Sequence, residues 1–103
     1  KSKIPNTMHD VDNETSLILE NSVYKEFIVH KTGHGLGLDV HEDPYIVRGN
    51  KTSLEEGMVI TVEPGLYIPE KFGIRIEDDV LITNDQPKVL TSFSKELRII
   101  NNE

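Results

Sequence analysis

Three glycines within five positions constrain this chain more than any other feature of its sequence. Gly33, Gly35 and Gly37 alternate with His34 and Leu36. Glycine is unfavourable inside a helix because of its backbone entropy, and in a strand it brings no side chain to pack. The segment therefore makes a poor helix and an unusual strand. Such spacing indicates backbone that other groups of the molecule approach closely.

Three of the four histidines lie close together around these glycines: His30, His34 and His41. On an extended chain His30 and His34 would share a face, because strand side chains repeat every two residues. A single histidine is most often a polar surface residue. Three of them around alternating glycines favour a functional site over that interpretation.

Two carboxylates could join this cluster. Glu63 ends an apolar strand pattern, and Pro64 then ends the ladder, so the carboxylate is held in a defined place. Two antiparallel strands could bring Glu63 and Glu77 onto one face, with His34 nearby. Alone, either acid is more often a solvated surface group. Together the three side chains suit a divalent ion such as manganese, cobalt or zinc.

The predicted elements form one α+β unit over residues 1–103, dominated by antiparallel sheet. After a loop at 1–6, Thr7 and Asp10 form a helix N-cap pattern, and helical spacing of apolar residues predicts a helix over 8–20. From 73 onwards, alternation places Ile74 and Ile76 on one face and the neighbouring charged residues on the other. Apolar runs and turn signals predict further strands at 25–29, 58–62, 73–83, 88–90 and 97–100.

Composition excludes several classes of protein. The formal charge is −7, from 18 acidic and 11 basic residues, which argues against nucleic acid or an anionic membrane as partner. The absence of cysteine excludes disulfides and thiolate metal sites. No apolar run approaches the roughly 20 residues of a membrane span, and the N-terminus does not look like a signal peptide. These features predict a soluble, cytoplasmic protein.

Three segments together carry a resemblance to a known family. Residues 30–44 read HKTGHGLGLDVHEDP, residues 56–67 read EGMVITVEPGLY, and residues 73–79 read GIRIEDD. In this order they resemble the signatures of the pita-bread (creatinase/aminopeptidase-like) metallopeptidases. The resemblance implies the C-terminal part of that fold, an antiparallel sheet with an N-terminal helix. It also implies a single unit, the C-terminal portion of a metallopeptidase catalytic domain.

The resemblance implies metal-binding roles for three residues. His34, Glu63 and Glu77 match three of the family's five ligands, with Glu77 bridging two divalent ions, manganese or alternatively cobalt or zinc. Glu63 also matches the carboxylate that relays a proton from the metal-bound water. The family's two aspartate ligands lie upstream of its equivalent of the helix, and Asp10 and Asp12 lack their surrounding pattern. The chain alone is therefore expected to be inactive.

Three further residues match substrate-side positions of the family. His41 matches a histidine that contacts the substrate carbonyl and stabilises the tetrahedral intermediate. His30 matches a histidine that shapes the pocket beyond the scissile bond. Arg75 matches an arginine that supports the ligand carboxylates, whose ionised form metal binding requires.

The wording of the motifs indicates a subgroup. Glu77 is followed by Asp78 and Asp79, as in Xaa-Pro dipeptidases and aminopeptidases, rather than by the histidine usual in methionine aminopeptidases. The implied activity is hydrolysis of small peptides with proline second, by a protein expected to form homo-oligomers. A non-catalytic peptide-binding or protein-binding module on the same fold, a metal-free hydrolase like creatinase, and a methionine aminopeptidase stay open as alternatives.

Overall fold

The computed structural model describes residues 1–101, which contain one α-helix, one short 3₁₀ helix and seven strands. The α-helix is α1 (Met8–Glu20), and the 3₁₀ helix is Lys25–Phe27. The strands are β1 (Gly33–Gly35), β2 (Glu42–Ile46), β3 (Val59–Val62), β4 (Gly65–Ile68), β5 (Phe72–Arg75), β6 (Asp78–Leu81) and β7 (Lys88–Val89).

The strands form two antiparallel sheets. Five strands form the larger sheet in the order β2-β1-β3-β6-β7, while β4 and β5 form a separate two-stranded hairpin. Every pairing between neighbouring strands is antiparallel. The predicted α+β class, an antiparallel sheet preceded by a helix, is confirmed. No helix within residues 1–101 combines the length and the apolar composition needed to cross a membrane.

Helix α1 begins and ends where the sequence predicts. Thr7 is its N-cap, and the Thr7 and Asp10 side chains and backbones bond reciprocally in a capping box. The hydrogen bonds from the backbone and then the side chain of Thr7 lower the pKa of Asp10. Met8 and Val11 face inward and are buried. The cap thus fixes the helix start at the point where its apolar face meets the sheet.

The core is small and lies between α1 and the larger sheet. It consists of seven buried apolar side chains: Met8, Val11, Ile46, Leu54, Ile60, Val80 and Ile82. Burial of one such side chain stabilises a fold by about 1.5–3 kcal/mol. With so few members, each of them carries a large share of the stability.

The alternating glycines lie where the backbone is most crowded. A Cβ on Gly33 would overlap the backbone oxygen of Thr61 in β3, and one on Gly35 would lie 2.5 Å from the backbone oxygen of Asp43 in β2. β1 is therefore squeezed between its two neighbouring strands. The predicted close approach of other groups to this segment is confirmed.

Two predicted strands are wrong. Lys25–Phe27 is a 3₁₀ helix, closed by the Phe27 amide donating to the Tyr24 carbonyl, because no strand within residues 1–101 pairs with this apolar run. Residues 97–100 form no strand, and Leu97, Ile99 and Ile100 are exposed. β propensity alone does not make a strand where no partner edge accepts it.

The predicted strand at 73–83 is two strands that belong to different sheets. β5 ends at Arg75 and pairs with β4, whereas β6 begins at Asp78 and pairs with β3. The predicted alternation of faces persists through the break: Ile74 and Ile76 line one cleft, and Arg75 and Glu77 line another. The predicted strand at 58–62 and the hairpin return at 88–90 are confirmed as β3 and β7.

Candidate functional site

A pocket of about 280 Å³ lies beside β1, β3 and the start of β6. Five of the six site residues predicted from the sequence line it, and His30 is the exception. The full lining consists of His34, Leu36, Val40, His41, Thr61, Glu63, Arg75, Glu77 and Asp79.

The register of β3 and β6 brings the two glutamates together. Val62 pairs with Asp78 in the antiparallel ladder, so the next positions outward, Glu63 and Glu77, stand opposite one another. The predicted placement of both carboxylates on one face is confirmed. Partial burial and then the negative charge of Glu63 raise the pKa of Glu77, while Arg75 acts in the opposite direction. Two carboxylates that share a pocket in this way attract a cation.

Hydrogen bonds to both the backbone and the ring fix the orientation of His34. It is only 5 % exposed, and its backbone amide donates to Thr61 Oγ1 at 3.1 Å. The ring Nδ1 lies 2.7 Å from the Gly35 carbonyl oxygen, which can only accept, so Nδ1 carries the proton. Nε2 points to Glu63 Oε2 at 3.3 Å. With Nδ1 bonded to the backbone, Nε2 is the ring nitrogen that faces the carboxylate, an arrangement typical of metal-binding histidines.

The side chains of His34, Glu63 and Glu77 are of the types that bind divalent transition-metal ions, but they do not form a complete set of ligands. Imidazole nitrogen and carboxylate oxygen are the ligand types that manganese, cobalt and zinc accept. Within residues 1–101, however, no three histidine, cysteine or acidic side chains converge closely enough to hold an ion. His34 with Glu63, and Glu63 with Glu77, form two adjacent pairs rather than one cage. The residues fit part of a metal site and would need further ligands to complete it.

His41 and Arg75 occupy the open side of the pocket. The His41 ring lies 4.6 Å from the His34 ring, centroid to centroid, and His41 is exposed. Arg75 Nε is 3.9 Å from Glu77 Oε2, and both side chains are about half exposed. An exposed ion pair of this length contributes little to stability. Both side chains are therefore placed to act on a ligand rather than to stabilise the fold.

His30 lies apart from this pocket. Strand β1 begins only at Gly33, so the alternation that would place His30 beside His34 does not extend back to it. The His30 ring instead contacts β4, where its Nε2 is 2.9 Å from the Tyr67 hydroxyl. The structure thus brings together five of the predicted side chains and separates the sixth.

The sequence did not reveal a series of hydrogen bonds that links helix α1 to the backbone of the site. Asp12 of α1 is 6 % exposed, and its Oδ1 accepts a hydrogen bond of 2.6 Å from the Thr32 hydroxyl. The Thr32 carbonyl in turn accepts from the Glu63 amide at 2.7 Å. This chain of contacts connects the helix to the backbone of Glu63. The only available signal was a polar residue on the apolar face of a helix.

Comparison with known proteins decides the family. The model of metallopeptidase family M24 matches residues 2–84. The chain belongs to this family. An Xaa-Pro dipeptidase of Pyrococcus furiosus is 46 % identical over 91 residues, which are 88 % of this chain and 26 % of that protein. An Xaa-Pro dipeptidase of Lactobacillus delbrueckii is 44 % identical over 94 residues, which are 91 % of this chain and 26 % of that protein.

Solved structures agree with this assignment. The prolidase of Pyrococcus horikoshii superposes with a TM-score of 0.85 at 45 % identity, covering 90 % of this chain and 27 % of that one. An Xaa-Pro dipeptidase from Bacillus anthracis superposes with a TM-score of 0.87 at 44 % identity, covering 91 % and 26 %. The fold is the C-terminal part of the pita-bread fold, and the chain spans about a quarter of the length of these M24 relatives.

Proposed function

We propose that this chain is the part of an M24 metallopeptidase that supplies most of its active site, and that the longer protein hydrolyses the bond before proline in small Xaa-Pro peptides. The observation that supports this most is the single pocket that holds His34, Glu63 and Glu77 together with His41 and Arg75. The dipeptidases and prolidases similar to this chain support the same activity.

His34, Glu63 and Glu77 are the proposed metal ligands. His34 offers Nε2, because the Gly35 carbonyl occupies Nδ1. Glu77 lies opposite Glu63 and is the proposed bridging carboxylate between two ions, with manganese preferred and cobalt or zinc as alternatives. Divalent ions bound by such a set lower the pKa of water and polarise a carbonyl. Binding also requires Glu77 to be ionised, against its raised pKa.

The remaining side chains of the pocket act on protons and charge. The Glu63 carboxylate, 16 % exposed, accepts the proton of the attacking water and passes it on to the leaving nitrogen. The exposed His41 ring donates a hydrogen bond to the oxygen that gains negative charge. The Arg75 guanidinium favours the ionised form of Glu77, since it lowers the pKa that burial and then the charge of Glu63 raise. His30, beside Tyr67, shapes the substrate side.

The proposal includes that residues 1–103 alone do not hydrolyse Xaa-Pro peptides at a useful rate. No three metal-binding side chains converge within residues 1–101, so ligands from elsewhere are needed. A turnover assay with added manganese or cobalt checks this. Metal-dependent turnover that survives repurification of the chain and disappears in Glu63→Ala would contradict it.

The longer protein is tested on matched peptides. The expected result is a higher kcat/KM for Ala-Pro than for Ala-Ala, because a pocket fitted to the pyrrolidine ring accepts a bond that lacks an amide hydrogen. Preference for Met-Ala-Ser would assign the protein to the methionine aminopeptidases. No cleavage of any peptide by the metal-loaded protein would leave a non-catalytic binding module, which the incomplete convergence of ligands also suits.

A further inference from the structure

We propose that Tyr67 is a positioning residue for His30, and that it holds the imidazole in the orientation in which the Lys31 carbonyl fixes the nitrogen that carries the proton. The Tyr67 hydroxyl lies 2.9 Å from His30 Nε2. The two rings meet edge to face, with centroids 5.3 Å apart and planes at 62°. This geometry joins the start of the glycine-rich segment to strand β4.

The other ring nitrogen decides the direction of the hydrogen bond. His30 Nδ1 lies 2.8 Å from the carbonyl oxygen of Lys31, which can only accept. Nδ1 therefore carries the proton of the neutral ring. Nε2 is left as an acceptor, and the Tyr67 hydroxyl is its donor. Each nitrogen has a partner of the opposite kind, so one tautomer is favoured.

Two glycines leave the space that this contact needs. A Cβ on Gly65 would lie 2.7 Å from the Tyr67 hydroxyl oxygen and 2.8 Å from His30 Nε2. Gly73 is the cross-strand partner of Tyr67, and a Cβ there would overlap the tyrosine ring. The Tyr67 ring thus lies across the bare backbone of β5. Any larger residue at position 65 would separate the hydroxyl from the imidazole.

The consequence for a substrate rests on the proposed function, in which His30 faces the bound peptide. A neutral His30 held in this way has no free N–H, because Nδ1–H is bonded to the Lys31 carbonyl. A substrate group that replaces Tyr67 at Nε2 must therefore be a donor, such as a peptide N–H or the terminal ammonium. The Nδ1–H tautomer in this way selects for a hydrogen-bond donor and against a carbonyl at this position.

The tautomer can be read directly by NMR on the ¹⁵N-labelled chain. Long-range ¹H–¹⁵N spectra, recorded above the ordinary histidine titration range, should show His30 as the Nδ1–H tautomer. The His30→Gln variant assigns the signal. In Tyr67→Phe the His30 signals should move toward a mixture of tautomers, and Gly65→Ala should produce the same change with both side chains retained. Tyr24→Phe, which removes a different tyrosine hydroxyl, should leave His30 unchanged.

Two results would overturn the proposal: an Nε2–H tautomer in the unmodified chain, or a folded Tyr67→Phe variant whose His30 signals do not move. If Tyr67→Phe does not fold, the unmodified chain and Gly65→Ala still decide. Because none of these spectra measures hydrolysis, loss of the proposed peptidase activity and loss of the tautomer assignment are separate outcomes.

Discussion

The two faces of residues 74–77 differ in their surroundings: one lines a polar pocket and the other lines an apolar cleft. On one side Arg75 and Glu77 join His34 and Glu63 in a polar pocket whose backbone is bonded to α1 through Thr32 and Asp12. On the other side Ile74 and Ile76, which are 56 % and 46 % exposed, line a cleft of about 450 Å³. The rest of that cleft is Leu19, Tyr24, Pro64, Gly65, Leu66, Ile68 and Phe72.

The two faces differ because the larger sheet packs its apolar residues against other parts of the chain, whereas the β4–β5 hairpin leaves apolar residues exposed. The larger sheet buries its apolar residues against α1 and holds the site residues in register. Every residue of β5 is exposed. Wide apolar surface of this kind suits contact with further protein, and a homo-oligomer remains a prediction for it.

Substitution in the core should have the largest effect on stability. Ile60 is fully buried at the centre of β3, so Ile60→Ala should lower the free energy of unfolding by about 2–5 kcal/mol. Ile74→Ala, the matched change on the open face, should lower it by less than about 1 kcal/mol. Urea titrations followed by circular dichroism measure both. Equal losses in the two variants would show that the hairpin face is as well packed as the core.

Substitution of the exposed pocket histidine should have the next largest effect, on turnover by the longer protein. His41→Ala should lower kcat by on the order of a hundredfold with a smaller change in KM, because the contact strengthens as charge develops on the oxygen. His9→Ala, which removes the one histidine outside the glycine-rich cluster, is the control and should leave kcat unchanged. A change confined to KM would place His41 in substrate binding alone.

The sequence predicted the site better than it predicted the elements around it. Glu63 and Glu77 meet because strand register follows from local alternation, which can be read from residues 58–62 and 73–77. The strand predicted at 25–29 is wrong because pairing depends on a partner edge that no local pattern specifies. His30 was expected to share a face with His34, yet it contacts Tyr67, 37 positions away in sequence. Long-range contacts of that kind leave no periodic signal.

Metal binding by the chain itself should be weak and should depend on the buried side of the pocket. His34→Ala should weaken manganese binding by roughly tenfold or more, since it removes the only nitrogen donor of the proposed set. His30→Ala, outside the pocket, should leave the affinity unchanged. Titration calorimetry near neutral pH compares the three proteins. Equal affinity in all of them would mean that the ion binds to other groups.

The smallest expected effect concerns the strand that carries Glu77 into the larger sheet. Asp78 Oδ1 accepts a hydrogen bond from the Thr91 hydroxyl and is 2.9 Å from Lys95 Nζ, and these contacts, the first above all, lower the pKa of Asp78. A carboxyl whose pKa is lower in the folded state than its unfolded value of about 3.9 stabilises the fold above that pH. The stabilisation is lost as the pH falls through the folded pKa.

Asp78→Asn should therefore lower the free energy of unfolding by about 1 kcal/mol at neutral pH, and the difference from the unmodified chain should shrink as the pH falls below about 4. Asp85→Asn, in the turn between β6 and β7, is the control and should have little effect at any pH. Urea titrations across this pH range give both curves. A difference that stays constant with pH would mean that Asp78 acts through packing rather than through its charge.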